Sequence, residues 1–466
     1  MDLLDHPEAQ VLLEDATITP ADVAACAGRL EAFVQRYLPC FSRPEQRTHA
    51  GTVLRGKLGG LQRKTTEPIA TAAGQQRRPL QLFVGAGGWR DAAVTGELRG
   101  HVGAELGDPE GVFILDGSGF AKKGTASCGV ARQWCGRLGK VDNCQVGVFL
   151  AYAAPRGHAL LDARLYLPEH WATDRRRRAA TYVPTAVAFA EKWRLGLELL
   201  DVARADLAGR WVVGDDEFGR CTELRAALRQ RRLHYVLDVP CHTLVREPSE
   251  RRPAARPGGR QRLPEFERAD RWVARQPAGR WRTVTVRDGA RGPLRVKVLL
   301  ARVQTKDEDG RVGPSEQLVV LRTCENQART SYALSNARHE QRAVLARVQG
   351  TRHRIEELLG EAKGEVGLSH YEVRSWVGWH HHMTLSLLAL WFLQLERLRL
   401  GKKTPAVTVA QVRAIFTELL RTPAASPERI ARVVSQVLRR NEESRIYAWH
   451  QATGAFPPRR PPPSRP

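Results

Sequence analysis

Residues 111–124, GVFILDGSGFAKKG, form the stretch that decides the arrangement of this chain. A short apolar run rich in strand-favouring residues ends abruptly at Asp116, and glycines and the pair Lys122 and Lys123 follow it. The pattern predicts a buried strand that leads directly into a glycine-rich loop. Because loops held on a rigid scaffold carry many functional side chains, Asp116 is a candidate functional residue.

Two more apolar runs come next, NCQVGVFLAYAA at 143–154 and HALLDARLYL at 158–167. A Pro-Arg-Gly turn separates them, and each run is long enough to form a strand of a sheet. Together with the first strand they predict a three-stranded antiparallel meander.

The chain then changes to alternating helices and strands. A helical apolar period over 186–205 precedes GRWVVGDDEFG, a short strand that ends at Asp215. A helix over about 217–230 and the strand LHYVLDV at 233–239 follow. Since helices between strands favour parallel pairing, the order βββαβαβ predicts an α/β fold with a ribonuclease-H-like core.

Charge indicates the class of partner. The chain has 73 lysines and arginines against 50 aspartates and glutamates, a formal net charge of +23. This excess favours a polyanion, and nucleic acid is the predicted partner. An arginine-rich coding composition is the alternative explanation that charge alone leaves open.

The sequence also predicts the compartment. The N-terminal MDLLDHPEAQ lacks the basic and apolar regions of a secretory signal, and the longest apolar run, within 383–395, is too short to span a bilayer. The eight cysteines include no C-x-x-C pair, which is typical of reduced thiols. We therefore expect a cytoplasmic, nucleoid-associated protein without a membrane segment.

Periodicity and composition predict five regions. These are a helical domain at 1–107, to which the family resemblance described below assigns DNA binding, a first part of the core at 108–246, a linker and β-rich insertion at 247–338, a helical second part of the core at 339–400, and a helical C-terminal extension with a Pro/Arg tail at 401–466.

The strand ends predict a metal site. Adjacent parallel strands would bring Asp116 and Asp215 to one edge of the sheet, and carboxylate oxygens are the ligands that Mg²⁺ prefers. A third carboxylate is expected from a later helix, and Glu356 in RHRIEELLGEAK is the best candidate. At 100° per residue, Arg352 and Lys363 lie close to the same helical face as Glu356. Glu357 and Glu361 are the rival carboxylates, and an ordinary charged helix face is the alternative.

Four spaced stretches carry a family resemblance: LDGSGFAKKG, SCGVARQWCGRLGKVDNCQVGVFLAYA, ARLYLPEHWA and GLSHYEVRSWVGWHHH. They resemble the DDE transposases of bacterial insertion sequences, specifically the insertion-sequence 701 group, which is related to the insertion-sequence 4 group. The resemblance covers about 47–395. It implies a ribonuclease-H-like core with a β-rich insertion and cut-and-paste chemistry on transposon DNA.

Several functional assignments follow from the resemblance. It implies that Asp116, Asp215 and Glu356 are the catalytic and metal-binding residues, with Mg²⁺ as the cofactor and Mn²⁺ as a possible substitute. Arg352 and Lys363 match the Arg and Lys of the family's Tyr-x2-Arg-x3-Glu-x6-Lys signature. The implied partners are double-stranded DNA, at the transposon ends and the target, and a second copy of the chain in a homodimer on DNA.

Two positions depart from the family pattern. Gln349 stands where the signature has Tyr, and Asp216 and Glu217 stand where a small residue and Gly are usual. Extra negative charge beside Asp215 would oppose the approach of DNA. The alternatives to a transposase are therefore a domesticated or inactive DNA-binding derivative and a nuclease of the same fold.

Further motifs were weighed for a role in binding. Lys122 and Lys123 are candidate phosphate contacts because they follow Asp116. Arg175–Arg178 predicts a solvated basic loop that adds electrostatic attraction. Trp272 and Trp281 are better explained as core residues than as stacking platforms for bases. The triplet 380–382, HHH, predicts no metal site, since consecutive helical residues point about 100° apart.

Overall fold

The computed structural model describes residues 3–250, 263–289, 292–307, 309–324, 328–402, 404, 406–421 and 426–458. Most of the linker predicted over 247–264 lies outside these residues, as does most of the Pro/Arg tail.

The N-terminal region is helical, as its apolar period predicts. Its helices are α1 (Pro7–Asp15), α2 (Pro20–Tyr37), α3 (Pro44–Leu58), α4 (Thr66–Ala72), α5 (Arg77–Ala86) and α6 (Asp91–Leu106). Helix α2 begins at a capping box, in which the Thr19 hydroxyl accepts the Asp22 N–H and the Asp22 carboxylate accepts the Thr19 N–H. These two bonds satisfy backbone groups that a helix start leaves unpaired.

Within the described residues, twelve strands form one mixed sheet. They are β1 (Val112–Ala121), β2 (Ala131–Cys135), β3 (Lys140–Ala154), β4 (Gly157–Leu165), β5 (Trp211–Gly214), β6 (His234–Asp238), β7 (Leu244–Arg246), β8 (Glu267–Arg268), β9 (Arg282–Gly289), β10 (Gly292–Lys306), β11 (Val312–Thr323) and β12 (Thr330–Ser335). The prediction of a mixed α/β protein is confirmed.

The first strands have the pairing that positions the site. Strand β1 pairs antiparallel with β3, and β3 pairs antiparallel with β4. On its other side β1 pairs parallel with β5, which pairs parallel with β6. The short strand β2 adds to β3 as a hairpin that the sequence pattern did not predict.

Eleven more helices are present in the described part of the chain. They are α7 (Glu169–Thr173), α8 (Arg175–Ala180), α9 (Lys192–Ala203), α10 (Asp216–Gly219), α11 (Thr222–Gln230), α12 (Ala269–Ala274), α13 (Arg342–Thr351), α14 (His353–Glu365), α15 (Trp376–Leu400), α16 (Val409–Leu419) and α17 (Pro427–Thr453). The prediction of a basic loop at Arg175–Arg178 is wrong. These residues form the start of α8, because the Asp174 carboxylate caps this turn by accepting the Arg177 N–H.

Strands β9 to β12 of the predicted insertion do not form a separate sheet. Strand β12 pairs antiparallel with β6 through Ala333, Leu334 and Ser335, so the insertion extends the core sheet. This pairing satisfies backbone groups that β6 would otherwise leave open at a sheet edge. The insertion also has its own apolar cluster, in which Trp272 is completely buried and Trp281 is partly buried.

Helix α15 joins the N-terminal helices to the sheet. It is buried over most of its length and contacts α3, α5, α6 and β4. Lys57 of α3 donates to the Ser386 hydroxyl at 2.8 Å, and Arg29 of α2 forms an ion pair with Glu396 at 2.6 Å. No helix in the described ranges is both long enough and apolar enough to cross a membrane.

Candidate active site

Three aspartates lie in one row across three adjacent parallel strands. Leu115 pairs with Gly214, and Gly214 pairs with Leu237, so the next residue of each strand, Asp116, Asp215 or Asp238, occupies the same level of the sheet. Strands β5 and β6 end at this level, but the prediction that β1 ends at Asp116 in a glycine-rich loop is wrong. Strand β1 continues to Ala121 because its glycines keep pairing with β3, so Asp116 lies in mid-strand where the pairing with β5 stops.

Burial makes this row electrostatically costly. Burial, and after it the charge of the neighbouring Asp215, raise the pKa of Asp116 to about 7. Burial is also the main cause that raises the pKa values of Asp215 and Asp238 to about 6. Like charges in a partly desolvated site disfavour ionisation unless a cation balances them. The row is therefore suited to a cationic ligand.

Glu356 approaches the row from helix α14. Arg352 ends α13 and begins α14, which places Glu356 in the first turn of the second helix. The Glu356 carboxylate accepts from Arg352 Nη1 at 2.9 Å and lies 3.1 Å from His353 Nδ1. Its charge also contributes to the raised pKa of Asp116, so Glu356 lies in the same electrostatic neighbourhood.

The rival carboxylates have other partners. Glu357 pairs with Arg354 at 2.6 Å and with Arg287 of β9 at 3.7 Å. Glu361 accepts a hydrogen bond from Gln394 of α15, and burial raises its pKa to about 7. Neither side chain is among the main causes that shift the pKa values of Asp116 and Asp215. The choice of Glu356 as the catalytic carboxylate of α14 stays a prediction.

The carboxylates fit a hard divalent cation by their chemistry, although the donor set is not gathered. Among the described residues, no three His, Cys, Asp or Glu side chains are grouped closely enough to hold a metal ion. Arg352 explains this, because its guanidinium pairs with Asp238 and Glu356 and interacts with Asp116 and Asp215. Carboxylate oxygens are the ligands that Mg²⁺ prefers, and a bound cation would offset the cost of ionising them in a buried site.

Of the predicted lysines, only Lys363 contacts the strand beside Asp116. Its Nζ donates to the Ser118 hydroxyl, two residues beyond Asp116, at 2.8 Å. Lys122 and Lys123 follow the far end of β1, roughly 20 Å of extended chain beyond Asp116. Lys122 Nζ lies 3.5 Å from the centroid of the Tyr371 ring, and burial lowers its pKa to about 8. Lys123 is exposed.

The two acidic departures after Asp215 are balanced by basic partners. Asp215 caps α10 by accepting the N–H groups of Glu217 and Phe218. The Glu217 carboxylate pairs with Lys192 at 2.6 Å, and Asp216 pairs with Arg220 at 3.1 Å. Their charges still contribute to the raised pKa of Asp215.

Sequence reasoning missed Asp238. Its signal was present, since LHYVLDV places an acid directly after an apolar run, as the sequences before Asp116 and Asp215 do. Gln349, at the position of the family Tyr, donates from Nε2 to Asp238 Oδ1 at 2.9 Å. The departure from Tyr thus places an amide donor against the third aspartate of the row.

The histidine triplet is structural. His380, His381 and His382 are all buried in α15, and their rings contact different backbone carbonyls. His380 approaches Trp376 O, His381 lies between Val84 O and Trp89 O, and His382 approaches Leu368 O. The rings diverge, which is the outcome that the 100° helical spacing predicts.

The raised pKa of Asp116 predicts a pH-dependent stability in metal-free protein. The folded pKa of about 7 lies above the ordinary value of 3.8, so folding favours the protonated carboxyl. The stabilisation that comes from the protonated Asp116 carboxyl is complete below pH 4 and is lost as the pH rises through 7. We expect Asp116→Asn to match the wild type at pH 4 and to exceed its free energy of unfolding by roughly 2–4 kcal/mol at pH 8.

Urea unfolding at both pH values in the presence of EDTA measures this difference. Asp201→Asn is the control. Asp201 lies exposed on α9 and pairs with Arg231, so its replacement should not reproduce the gain in stability at pH 8. Equal stability of wild type and Asp116→Asn at pH 8 would contradict the assigned environment.

Comparison with known proteins identifies the family of the chain. The sequence matches the family described as DDE superfamily endonuclease over residues 36–293, a range that includes Asp116, Asp215 and Asp238 but ends before Glu356. No curated protein gives a significant match. Among solved structures, the chain is similar to a piggyBac transposase in a synaptic complex with hairpin DNA, with 10% identity, a TM-score of 0.34, and coverage of 91% of this chain and 78% of that chain. Since the family match spans more than half of the sequence, the chain belongs to the DDE superfamily endonucleases, and the prediction of a DDE-type enzyme is confirmed.

Proposed function

We propose that this protein is a transposase of the insertion-sequence 701 group that cuts DNA at the ends of its element and joins them to target DNA. The row of Asp116, Asp215 and Asp238 beside Glu356 is the observation that carries this proposal. The strand order β4-β3-β1-β5-β6, antiparallel and then parallel, supports a ribonuclease-H-like core.

Asp116, Asp215 and Glu356 are the residues that would hold Mg²⁺, with Mn²⁺ as a substitute. A pair of divalent cations would supply activation of water or a DNA 3′-hydroxyl and stabilisation of the leaving oxygen. The protein's own part is to hold these carboxylates within β1, at the end of β5 and on the first turn of α14. Their rigid placement lowers the cost of arranging the reacting groups.

Basic side chains around the row supply contacts to the DNA backbone. Lys363 holds its ammonium group beside Ser118 of β1, and Lys122 and the exposed Lys123 follow the far end of that strand, where they would contact a more distant part of the DNA backbone. Arg352 would orient the scissile phosphate. The net charge of +23 favours the approach of a polyanion as a whole.

The helical region 1–107 is proposed to bind the element ends, and two copies of the chain are proposed to hold both ends together. In this protein the helices pack on α15, with Arg29, Lys57 and Phe33 contacting it directly. Removal of the region would expose the buried surface of α15. Point substitutions on the intact chain are therefore the suitable test of its DNA contacts.

The decisive experiment is incubation of the full chain with DNA that flanks its gene, in Mg²⁺, followed by mapping of the cuts. Cuts confined to the element boundaries support a transposase. Cuts without regard to the boundaries would indicate a nuclease of the same fold. Boundary binding without any cut would indicate a DNA-binding derivative that has lost cleavage.

We expect the affinity for DNA to fall steeply with salt, because neutralised phosphates release condensed counterions. Lys123→Ala should make the slope of log K against log salt shallower by about one, since it removes one phosphate contact. Lys297→Ala is the matched control, an exposed lysine on β10 of the insertion. Fluorescence anisotropy at several salt concentrations measures both slopes, and an unchanged slope for Lys123→Ala would remove it from the interface.

A further inference from the structure

Asp238 has two contacts that set it apart from the other aspartates of the row. Its Oδ2 accepts from Arg352 Nε at 2.9 Å, and its Oδ1 accepts from Gln349 Nε2 at 2.9 Å. Both donors come from the junction of α13 and α14. One carboxylate therefore fastens the strand edge to the helix junction that carries Glu356.

Arg352 connects Asp238 to Glu356 through different nitrogen atoms. Its Nε faces Asp238, and its Nη1 faces Glu356 at 2.9 Å. The same guanidinium interacts electrostatically with Asp116 and Asp215. One pair can break without the other, because no single nitrogen serves both carboxylates.

Gln349 supplies the second contact to Asp238. Its amide nitrogen also lies 3.3 Å from the Ser331 hydroxyl of β12, and its side chain is buried. A buried amide nitrogen held by two partners has little freedom to turn away. Gln349 therefore helps to keep the Asp238 carboxylate in place beside Arg352.

We propose that Asp238 is a positioning residue that retains Arg352 at the edge of the carboxylate row, so that Glu356 can leave the guanidinium and bind a divalent cation. The inference rests on the proposed function, since it assumes that Glu356 serves that cation. A guanidinium without Asp238 would pair instead with the catalytic carboxylates and compete with the cation for them.

The test is a double-mutant cycle on Mn²⁺ binding to the full chain without DNA, measured by isothermal titration calorimetry. The four proteins are the wild type, Asp238→Asn, Arg352→Gln and the double variant. We expect Asp238→Asn to weaken Mn²⁺ binding by about 10–100-fold, the usual cost of losing a group that orients a metal ligand. In the Arg352→Gln background the same replacement should change affinity by less than about threefold, because its competitor is gone.

Other outcomes overturn the inference in distinguishable ways. An equal loss of affinity in both backgrounds would make Asp238 a direct ligand. No loss in either would make its contacts merely structural. Absence of Mn²⁺ binding to the wild type would overturn the proposed function, and this inference with it.

Two more variants keep the test decisive. Asp201→Asn removes the ion pair, 2.6 Å long, between Asp201 of α9 and Arg231. It should leave Mn²⁺ affinity unchanged. If Asp238→Asn does not fold by circular dichroism, Asp238→Glu replaces it in the cycle. The longer side chain keeps the charge but displaces the carboxylate, so its loss of affinity should again depend on Arg352.

Discussion

Replacement of Glu356 by glutamine is expected to lower the rate of Mg²⁺-dependent DNA cleavage by at least about 10³-fold, whereas Glu357→Gln should retain most of it. A loss of this size corresponds to several kcal/mol of transition-state stabilisation, the contribution expected of a metal-bound carboxylate. The two residues are adjacent and chemically identical. Their different outcomes therefore report position alone.

The structure gives the reason for the difference. Glu356 contacts Arg352 and acts on the pKa of Asp116, which places it with the carboxylate row. Glu357 instead pairs with Arg354 and with Arg287 of β9. About 100° of helical rotation separates the two side chains.

Initial rates of cleavage with saturating DNA check this prediction, with far-UV circular dichroism as the control for folding. An active Glu356→Gln together with an inactive Glu357→Gln would show that α14 is rotated relative to the sheet. Glu357, and not Glu356, would then be the catalytic carboxylate.

The second large effect on cleavage is expected from the two aspartates that β1 and β5 position, Asp116 and Asp215. Asp116→Asn and Asp215→Asn should each reduce cleavage by about 10³-fold or more while DNA binding is retained, because these carboxylates hold metal rather than phosphate. Asparagine keeps the shape of the side chain and removes its charge. For Asp116 the same change should raise the stability of the metal-free protein at pH 8, so loss of activity cannot be explained by unfolding.

Cleavage rates and DNA affinity for each variant, beside Asp201→Asn as a control, measure this dissociation of binding from chemistry. Normal cleavage by either variant would exclude that residue from the site. A parallel loss of DNA binding would mean that the carboxylates organise the protein surface rather than the reaction.

Much of this site was readable from local pattern. An acid after a buried apolar run is visible in GVFILDGSGFAKKG and in GRWVVGDDEFG. Only the second strand ends there. The first continues through Asp116 to Ala121, because its glycines pair with β3, a partner that the local pattern does not show. Adjacent parallel strands align their ends, so Asp116 and Asp215 were expected to meet. The position of Glu356 on its helix followed from the 3.6-residue period, and its partner Arg352 lies one turn away.

Local sequence pattern did not predict how the insertion attaches to the core sheet, nor the helix α8 that follows the meander. Strands β9 to β12 were recognised, but their attachment to β6 was not, since the pairing of Leu334 with Leu237 joins residues far apart in sequence. The turn at Arg175 was predicted as a loop, because a run of like charges outweighed the single capping contact from Asp174.

The sequence by itself determined the alternation of strands and helices and the acids Asp116 and Asp215 that follow apolar runs, and it predicted the face of α14 that carries Glu356, because each depends on the pattern within a short segment. Only the tertiary structure decided the role of Asp238. Its partners Gln349 and Arg352 are more than 100 residues away along the chain and reach it because the insertion closes on β6 and returns α13 to the sheet. A contact that depends on chain closure has no local period to reveal it.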